Sequence, residues 1–230
     1  MARETKRIIG ALVLGVLGVG VLLALGGWQL QRLEWKTEVL TQMEAQISGE
    51  PQSLPDRALP ERDRFLPVAV EGQLGDRVLR VIATRPGQGP GHRLISALET
   101  GDGRRVLLER GFVAQGGDVT PPQGSLRITG NLHWPREVDS LTPPPDTDND
   151  LWYARDVHAM ARELGTEPFL IVARMISGAA DPATPWPVDT SSVANDHLQY
   201  AITWFSLAAI WLVMTLYLIY RIRQQGKAER

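Results

Sequence analysis

The chain has 230 residues, which is enough for one ordinary domain and some additional segments. Its net charge is −2 at pH 7, from 24 Lys and Arg residues against 26 Asp and Glu residues, and no run of like charge points to a nucleic-acid-binding protein. The absence of cysteine excludes disulfides, thiol redox chemistry and thiolate metal sites.

The first predicted element is a transmembrane helix from Ile8 to Gly27, a run of 20 residues without a charge. A helix needs about 20 apolar residues to cross the hydrocarbon core of a bilayer. A cleaved signal peptide is the alternative, because basic residues precede the run. Ala11, Gly15 and Gly18 lie at i, i+4 and i+7 and form a flat face for a partner helix, although glycine is also simply frequent in membrane helices.

The segment after Gly27 is predicted to continue the first helix beyond the membrane, since no turn residue occurs before Ser48. Trp28, Arg32 and Trp35 lie on one helical face of this extension, at i, i+4 and i+7. Gln29, Arg32 and Lys36 share another face, at i, i+3 and i+7. Cations beside aromatic rings can bind the carboxylates of a ligand, or they can extend toward lipid headgroups. Both roles remain open for this segment.

Six strand-like segments follow a proline-rich stretch, residues 51–64, that we predict to be a linker. Their β-branched alternation and the turn signals between them predict a mostly antiparallel sheet or small barrel. The segments are Leu66–Leu74, Val78–Thr84, His92–Leu98, Arg105–Val113, Leu126–Trp134 and Phe169–Ile176. A short helix from Asp156 to Leu164, stopped by Gly165, and a second proline-rich linker, residues 181–189, complete a β-rich α+β domain.

Arg110 stands out in the fourth of these strand-like segments, because it interrupts an apolar run that is predicted to be buried. It is either a cation that faces a partner protein or one half of a structural ion pair. Trp152 and Tyr153, which precede the short helix, are predicted to belong to the core or to an interface rather than to a ligand site.

The second predicted transmembrane helix runs from Leu198 to Tyr220, 23 residues without a charge. His197 stands at its outer end, and Tyr200 and Trp204 follow on the same helical face at i+3 and i+7. A neutral imidazole in an apolar, aromatic setting suits an axial ligand of haem iron. A polar histidine at the membrane interface, beside the usual belt of aromatic residues, is the alternative.

The distribution of positive charge predicts the orientation of the two helices. Residues 1–7 carry a net charge of +2 and residues 221–230 carry +3, so the −2 of the whole chain leaves −7 for residues 8–220. Short basic flanks remain on the cytoplasmic side. We therefore expect a bacterial inner (plasma) membrane protein with cytoplasmic ends at 1–7 and 221–230, membrane helices at 8–27 and 198–220, and a periplasmic domain at 28–197.

Signatures of catalysis are missing from the sequence, which contains no GxSxG, no HExxH and no phosphate-binding glycine loop. The four histidines, His92, His133, His158 and His197, are too widely spaced to predict a metal cluster. We therefore expect a protein that is not an enzyme. An exported enzyme or small-molecule sensor lacks a supporting motif.

At three motifs the sequence resembles the surfeit-locus family of cytochrome c oxidase assembly factors. The motifs are Gly27–Arg32 with Trp35 and Lys36, Arg110–Val113, and Asn195–Trp204. Two departures occur: Asp196 replaces the second residue of a paired Asn, and Phe112 replaces a tryptophan. The first departure puts any role of the second Asn in doubt.

The resemblance implies a role in the maturation of haem–copper terminal oxidases, with haem a held transiently and delivered to the catalytic subunit. A haem a synthesis enzyme is a further candidate partner. The predicted cofactor site has His197 as the iron ligand, and its other members are Tyr200, Trp204, Trp28, Arg32 and Lys36. A cofactor-free scaffold that stabilises the nascent oxidase subunit is the alternative, with contacts through Ala11, Gly15, Gly18 and Arg110.

Overall fold

The computed structural model describes residues 2–190, 193 and 195–228. The chain divides into two compact units, one formed by Met1–Gln42 with Ser191–Arg230 and the other by Met43–Thr190. The predicted cytoplasmic ends and outer domain include some residues that lie outside the described ones, namely Met1, Ser191, Ser192, Ala194, Glu229 and Arg230.

In the described residues, a long helix precedes the sheet along the chain and another follows it. The helices are α1 (Ala2–Ser48), α2 (Pro60–Asp63), α3 (Val157–Leu164) and α4 (His197–Ala228). The strands are β1 (Pro67–Arg85), β2 (Gly89–Thr100), β3 (Arg105–Ala114), β4 (Leu126–His133), β5 (Leu151–Trp152) and β6 (Glu167–Ser177).

Helices α1 and α4 are long and apolar enough to cross a membrane, as the composition predicts. They contain the predicted spans 8–27 and 198–220. Only 6% of the most apolar window of each helix is buried inside the chain, whereas a core helix of a soluble protein is mostly buried. Their exposed apolar surface is what a bilayer requires.

The end of α1 belongs to the second unit, and two side chains of that unit bind it. The carbonyl oxygen of Ile47 accepts hydrogen bonds from Asn131 Nδ2 at 2.8 Å and from Arg174 Nη1 at 3.0 Å. The last carbonyls of a helix have no partner within the helix, so these donors satisfy a group that would otherwise be buried and unpaired. The helix therefore ends at Ser48, just before Gly49.

Strands β1 to β4 and β6 form a closed ring in the order β1-β2-β3-β6-β4, in which β4 pairs back with β1. The closure depends on the length of β1, because residues 67–72 pair with β4 and residues 72–85 pair with β2. The pairs β3–β6 and β1–β5 are parallel, and the other pairs are antiparallel. The predicted β-rich, mostly antiparallel small barrel is confirmed.

Apolar side chains fill the barrel in an alternating pattern, since successive residues of a strand point to opposite faces. On β3, Val106 and Leu108 belong to the cluster inside the barrel, and Leu107 belongs to the cluster beneath α3. On β6, Ile171 faces inward and Val172 faces α3 in the same way. Both strands are therefore buried on two faces.

Helix α3 covers one side of the barrel with its apolar face, which comprises Val157, Met160, Ala161 and Leu164. The Asp156 carboxylate caps its first turn by accepting a hydrogen bond from the backbone N–H of Ala159 at 3.0 Å. Gly165 ends the helix with a φ of 63°, a left-handed conformation that glycine adopts without strain. The predicted short helix is confirmed.

Residues 51–64 and 181–189, which were predicted to be linkers, are both built into the second unit. Gln52 pairs with β1, since its N–H donates to Pro67 at 3.1 Å and its carbonyl accepts from Ala69 at 2.9 Å. Thr184 and Phe112 of β3 exchange two backbone hydrogen bonds of 2.8 and 2.9 Å. The linker prediction is wrong for both segments, because prolines remove only their own donors and leave the neighbouring groups free to pair.

Candidate cofactor site on the helix pair

Helices α1 and α4 pack against each other in antiparallel directions within the first unit. A Cβ atom on Gly15 would collide with Thr215, and one on Gly26 would collide with Phe205. A later position on α1 therefore meets an earlier position on α4. The two glycines allow the close approach that membrane helices achieve through small residues.

Gln29 and His197 form a polar contact at one end of this helix pair. Gln29 Oε1 lies 2.8 Å from His197 Nδ1. The glutamine is 9% exposed and the histidine is half-buried. On the same face of α4, Ala201 and Ala208 are almost fully buried, with 1% and 3% exposure. The contact thus joins two polar side chains on the largely apolar contact face between α1 and α4, which we call the helix seam.

The start of α4 is defined by the two residues before His197. The carbonyl of Asp196 accepts the first hydrogen bond of the helix, from the N–H of Tyr200 at 3.2 Å, so Asp196 holds the N-cap position. Asp and Asn are nearly equivalent there, so the departure from a paired Asn preserves the cap position. Asn195 Oδ1 is buried and has no hydrogen-bond partner among the described residues.

The aromatic residues of the predicted site lie on differently exposed faces. Trp204 is half-buried on the side of α4 that contains His197. Tyr200 is 56% exposed and Trp28 is 55% exposed, so their rings face away from the helix seam. The structure therefore brings Trp204 to the packed face together with His197, and it leaves the other two rings open.

The predicted cations lie on the extension of α1. The guanidinium of Arg32 stacks on Trp35, with 4.0 Å between its central carbon and the ring centroid. Arg32 is exposed, and Lys36 is half-buried one turn further along the helix. A cation held over an aromatic ring at this position keeps its charge available to an anionic ligand.

Gln29 is the residue of the Gln29–His197 pair to which the sequence analysis gave no role in the site. Its spacing from Arg32 and Lys36 places it on one helical face with them, but its contact with His197 was not predicted. An amide just after the first apolar run, opposite a histidine just before the second run, is the signal that could have revealed it.

Comparison with known proteins bears directly on this helix pair. A sequence profile of the SURF1 family matches residues 16–209, which include Gln29, His197 and the whole second unit. The chain belongs to the SURF1 family. The resemblance to the surfeit-locus family, which was found at three sequence motifs, is therefore confirmed over most of the chain.

Individual relatives give the same result for this SURF1-family member. A SURF1-like protein of Monosiga brevicollis is 31% identical over 237 residues, covering 91% of this chain and 88% of that protein. A SURF1-like protein of Rickettsia felis is 29% identical, covering 87% of this chain and 92% of that protein. The human Surfeit locus protein 1 is 28% identical, covering 80% and 69%.

The small-residue face of α1 is occupied in this SURF1-family chain by its own second helix. Gly15 lies against Thr215, and Gly18 lies against the Trp211 ring. Ala11 is half-buried one turn earlier. The helix that approaches this face in the structure is thus α4, and contact of the same face with an external partner remains a prediction.

Arg110 corrects one of the predictions, because its side chain is buried in an ion pair with Asp181 and has 0% exposure. The register of β2 and β3 shifts at this point, with Leu94 opposite Gly111 and Ile95 opposite Glu109, so Arg110 is an extra residue. Such a bulge turns a side chain away from its alternating direction. Arg110 is therefore buried against Asp181, Val119 and Thr120 and does not form a partner-facing surface.

A second buried charge network lies close to Arg110 in the sequence. Glu109 is fully buried between Arg93 and Arg155, and Arg155 also binds Glu137. Burial opposes the charge on Arg155, but the carboxylates of Glu109 and Glu137 raise its pKa. Every charge of the network has an opposite partner, which is typical of a structural role.

The second unit offers little that resembles a catalytic or metal centre. No group of three His, Asp or Glu side chains in the described ranges is arranged to hold a metal ion. The barrel interior is apolar, and a cleft of about 440 Å³ beside the bend of β1 is open and lined by Glu71, Glu99 and Arg105.

Proposed function

We propose that this protein is an assembly factor for a haem–copper cytochrome c oxidase, which holds haem a and delivers it to the catalytic subunit. Membership of the SURF1 family supports a role in assembly. The hydrogen bond between His197 and Gln29 is the observation that carries the haem-binding part of the proposal.

His197 has the chemistry of an axial ligand for haem iron. Its Nδ1 is engaged by Gln29 Oε1 at 2.8 Å, so Nε2 is the ring nitrogen left for a metal. Histidines that bind metals commonly use their second nitrogen in a hydrogen bond of this kind. His197 is half-buried, so its ring is held by the helix pair and is still open to a ligand.

The surroundings of His197 fit a large, flat and partly anionic cofactor. The exposed rings of Trp28 and Tyr200 offer aromatic surfaces, and the unpartnered Asn195 Oδ1 offers a hydrogen-bond acceptor. Cationic side chains suit the propionates, which are carboxylates. The proposed contacts besides His197 are Tyr200, Trp204, Trp28, Arg32 and Lys36.

The proposed role has two steps, binding of haem a and its release to the oxidase subunit. His197, in the first turn of α4, would hold the iron, and the cations on α1 would hold the propionates. Haem a supplies the redox-active iron that the oxidase requires, and the chain itself only binds, orients and shields it. The exposed rings of Trp28 and Tyr200 leave part of the proposed site open, and transfer to a second protein requires an open site.

We further propose that the protein lies in the bacterial inner membrane with residues 28–197 in the periplasm. The basic ends of the chain, with net charges of +2 and +3, support cytoplasmic termini. In this orientation the proposed site lies at the periplasmic surface of the inner membrane. The catalytic oxidase subunit, and a haem a synthesis enzyme as donor, are the proposed partners.

The test is the absorption spectrum of the protein purified from cells that make haem a. We expect the full-length chain to copurify haem a and His197→Ala to lose it. His158→Ala is the matched control, because His158 is an exposed histidine on α3 and its loss should leave the haem content unchanged. A wild-type protein without haem, or an equal haem content in His197→Ala, would overturn the haem-binding proposal.

A cofactor-free scaffold is the second candidate function, and the open glycine positions of α1 favour it. A Cβ atom on Gly20 or Gly27 would meet nothing within 4 Å in the described part of the chain. A helix of the nascent oxidase subunit could approach closely at these positions. Oxidase assembly that survives His197→Ala but not Gly20→Leu would favour the scaffold.

A further inference from the structure

We infer that Gln29 is the positioning residue of His197 and holds the imidazole in the one neutral tautomer whose Nε2 is free to bind iron. The inference deepens the proposed function and rests on it for the identity of the metal. The tautomer itself is a property of the cofactor-free chain.

The donor and acceptor groups of the contact between Gln29 and His197 indicate which tautomer is present. Gln29 Oε1 is a carbonyl oxygen and can only accept a hydrogen bond, so His197 Nδ1 must donate across the 2.8 Å contact. A neutral imidazole carries one N–H, and a hydrogen on Nδ1 leaves a lone pair on Nε2. The opposite tautomer would require the Gln29 amide to turn over and donate from its own Nε2, and it would present an N–H, which cannot bind iron, at the Nε2 of His197.

The burial of Gln29 strengthens its hydrogen bond with His197. The glutamine is 9% exposed, so water competes poorly for its amide oxygen. Hydrogen bonds in such low-dielectric surroundings are electrostatically stronger than bonds in water. The close approach of Gly26 to Phe205, less than one turn before Gln29, fixes the distance between the helices at this level.

The neutral amide also suits a carrier that must release its cargo. A carboxylate that accepts from the second nitrogen of a ligating histidine makes that histidine a stronger ligand. A carboxylate here would also be buried on an apolar seam, which is costly without a cation. Gln29 orients the imidazole without adding charge, and it therefore favours a bond to iron that can be broken on transfer.

The first experiment measures the tautomer in the haem-free, full-length protein by ¹⁵N NMR of the imidazole nitrogens in detergent. We expect the Nδ1–H form to predominate in the wild type and this preference to be lost in Gln29→Leu. Gln31→Leu is the matched control, because Gln31 is an exposed glutamine on the same helix. A predominant Nε2–H form in the wild type, or no difference between the two variants, would overturn the inference.

The second experiment measures haem affinity and reduction potential in the loaded protein. Loss of such a hydrogen-bond partner weakens metal binding by about 10- to 100-fold, which is the loss expected for Gln29→Leu but not for Gln31→Leu. We expect the potential to rise in Gln29→Leu and to fall in Gln29→Glu, where a stronger acceptor stabilises the oxidised iron. A merely structural glutamine would not give opposite shifts.

These readouts separate the two proposals. A wild type that binds no haem but shows the Nδ1–H tautomer overturns the haem function and retains the positioning of His197. A wild type that binds haem with the same potential and affinity in Gln29→Leu and Gln31→Leu retains the function and overturns the role of Gln29.

Discussion

Arg110 Nη2 lies 2.6 Å from Asp181 Oδ1, and Arg110 Nε lies 2.9 Å from Oδ2, so the two side chains form a bidentate ion pair. The arginine side chain is 0% exposed and the aspartate side chain 6% exposed. Two further N–H groups of the guanidinium donate to the carbonyls of Val119 and Thr120, at 3.1 and 2.9 Å. The pair holds the segment after β6 against β3.

We expect Arg110→Met to lower the free energy of unfolding by about 3–5 kcal/mol, because it leaves the buried Asp181 carboxylate without a cation. Chemical denaturation of the full-length protein in detergent, followed by tryptophan fluorescence, measures this loss. Arg127→Met is the matched control, since the side chains of Arg127 and its partner Glu71 are 70% and 60% exposed. Exposed pairs contribute about 1 kcal/mol or less, so equal losses in the two variants would contradict the prediction.

Most elements of this fold follow from local sequence patterns, but the closure of the barrel does not. The cap at Asp156, the apolar face of α3 and the stop at Gly165 are all readable from nine or ten consecutive residues. Closure depends on β1 changing neighbours at Gly72, from β4 to β2. The alternation of apolar and polar residues along a strand predicts which face is buried. It does not predict which other strand pairs with it.

The candidate site shows the same limit. His197 was predicted from its position at the end of an apolar run, whereas Gln29 becomes meaningful only when α1 and α4 are paired in register. Arg110 was left open between two roles because the extra residue in β3 cannot be seen in the alternation of that strand. Contacts between segments distant in sequence decided both cases.

We expect Gly18→Leu to push α1 and α4 apart, because a side chain at this position would collide with the Trp211 ring. Overpacking of this kind costs about 1–3 kcal/mol. Spin labels on cysteines at Val13 and Val213, both exposed, would report a longer and broader distance in this cysteine-free chain. Gly20→Leu is the control, since nothing lies within 4 Å of its Cβ position, and an equal change there would contradict the prediction.

We expect the second unit to lose stability as the pH falls from 6.5 to 4, because of His133. Burial, with a contribution from Arg155, lowers the pKa of His133 from 6.5 to about 4. Between these values the unfolded chain binds a proton that the folded state rejects, so unfolding is favoured as the pH falls. The full effect is at most about 3 kcal/mol, since one pKa unit corresponds to about 1.4 kcal/mol.

The measurement is the free energy of unfolding at pH 7.5 and pH 4.5 for His133→Phe and the wild type. The phenylalanine fits beside Phe65, whose ring stacks on His133 at 5.4 Å, and it cannot titrate. We expect a smaller difference between the two pH values in this variant. His158→Phe, at an exposed position, should behave like the wild type, and a wild-type pH dependence in His133→Phe would refute the assignment.

We expect Trp186→Ala to loosen the segment after β6 from β3. The indole ring lies 3.6 Å from the Arg93 guanidinium and packs edge-on against Phe112, with 5.8 Å between ring centroids. Losing both contacts costs about 1–2.5 kcal/mol before any loss of buried area. Hydrogen exchange should therefore accelerate at the backbone amide of Thr184, which donates to Phe112 at 2.9 Å. Tyr153→Ala, at a residue that is 43% exposed, is the control. Unchanged protection of Thr184 in Trp186→Ala, or an equal loss in both variants, would contradict the prediction.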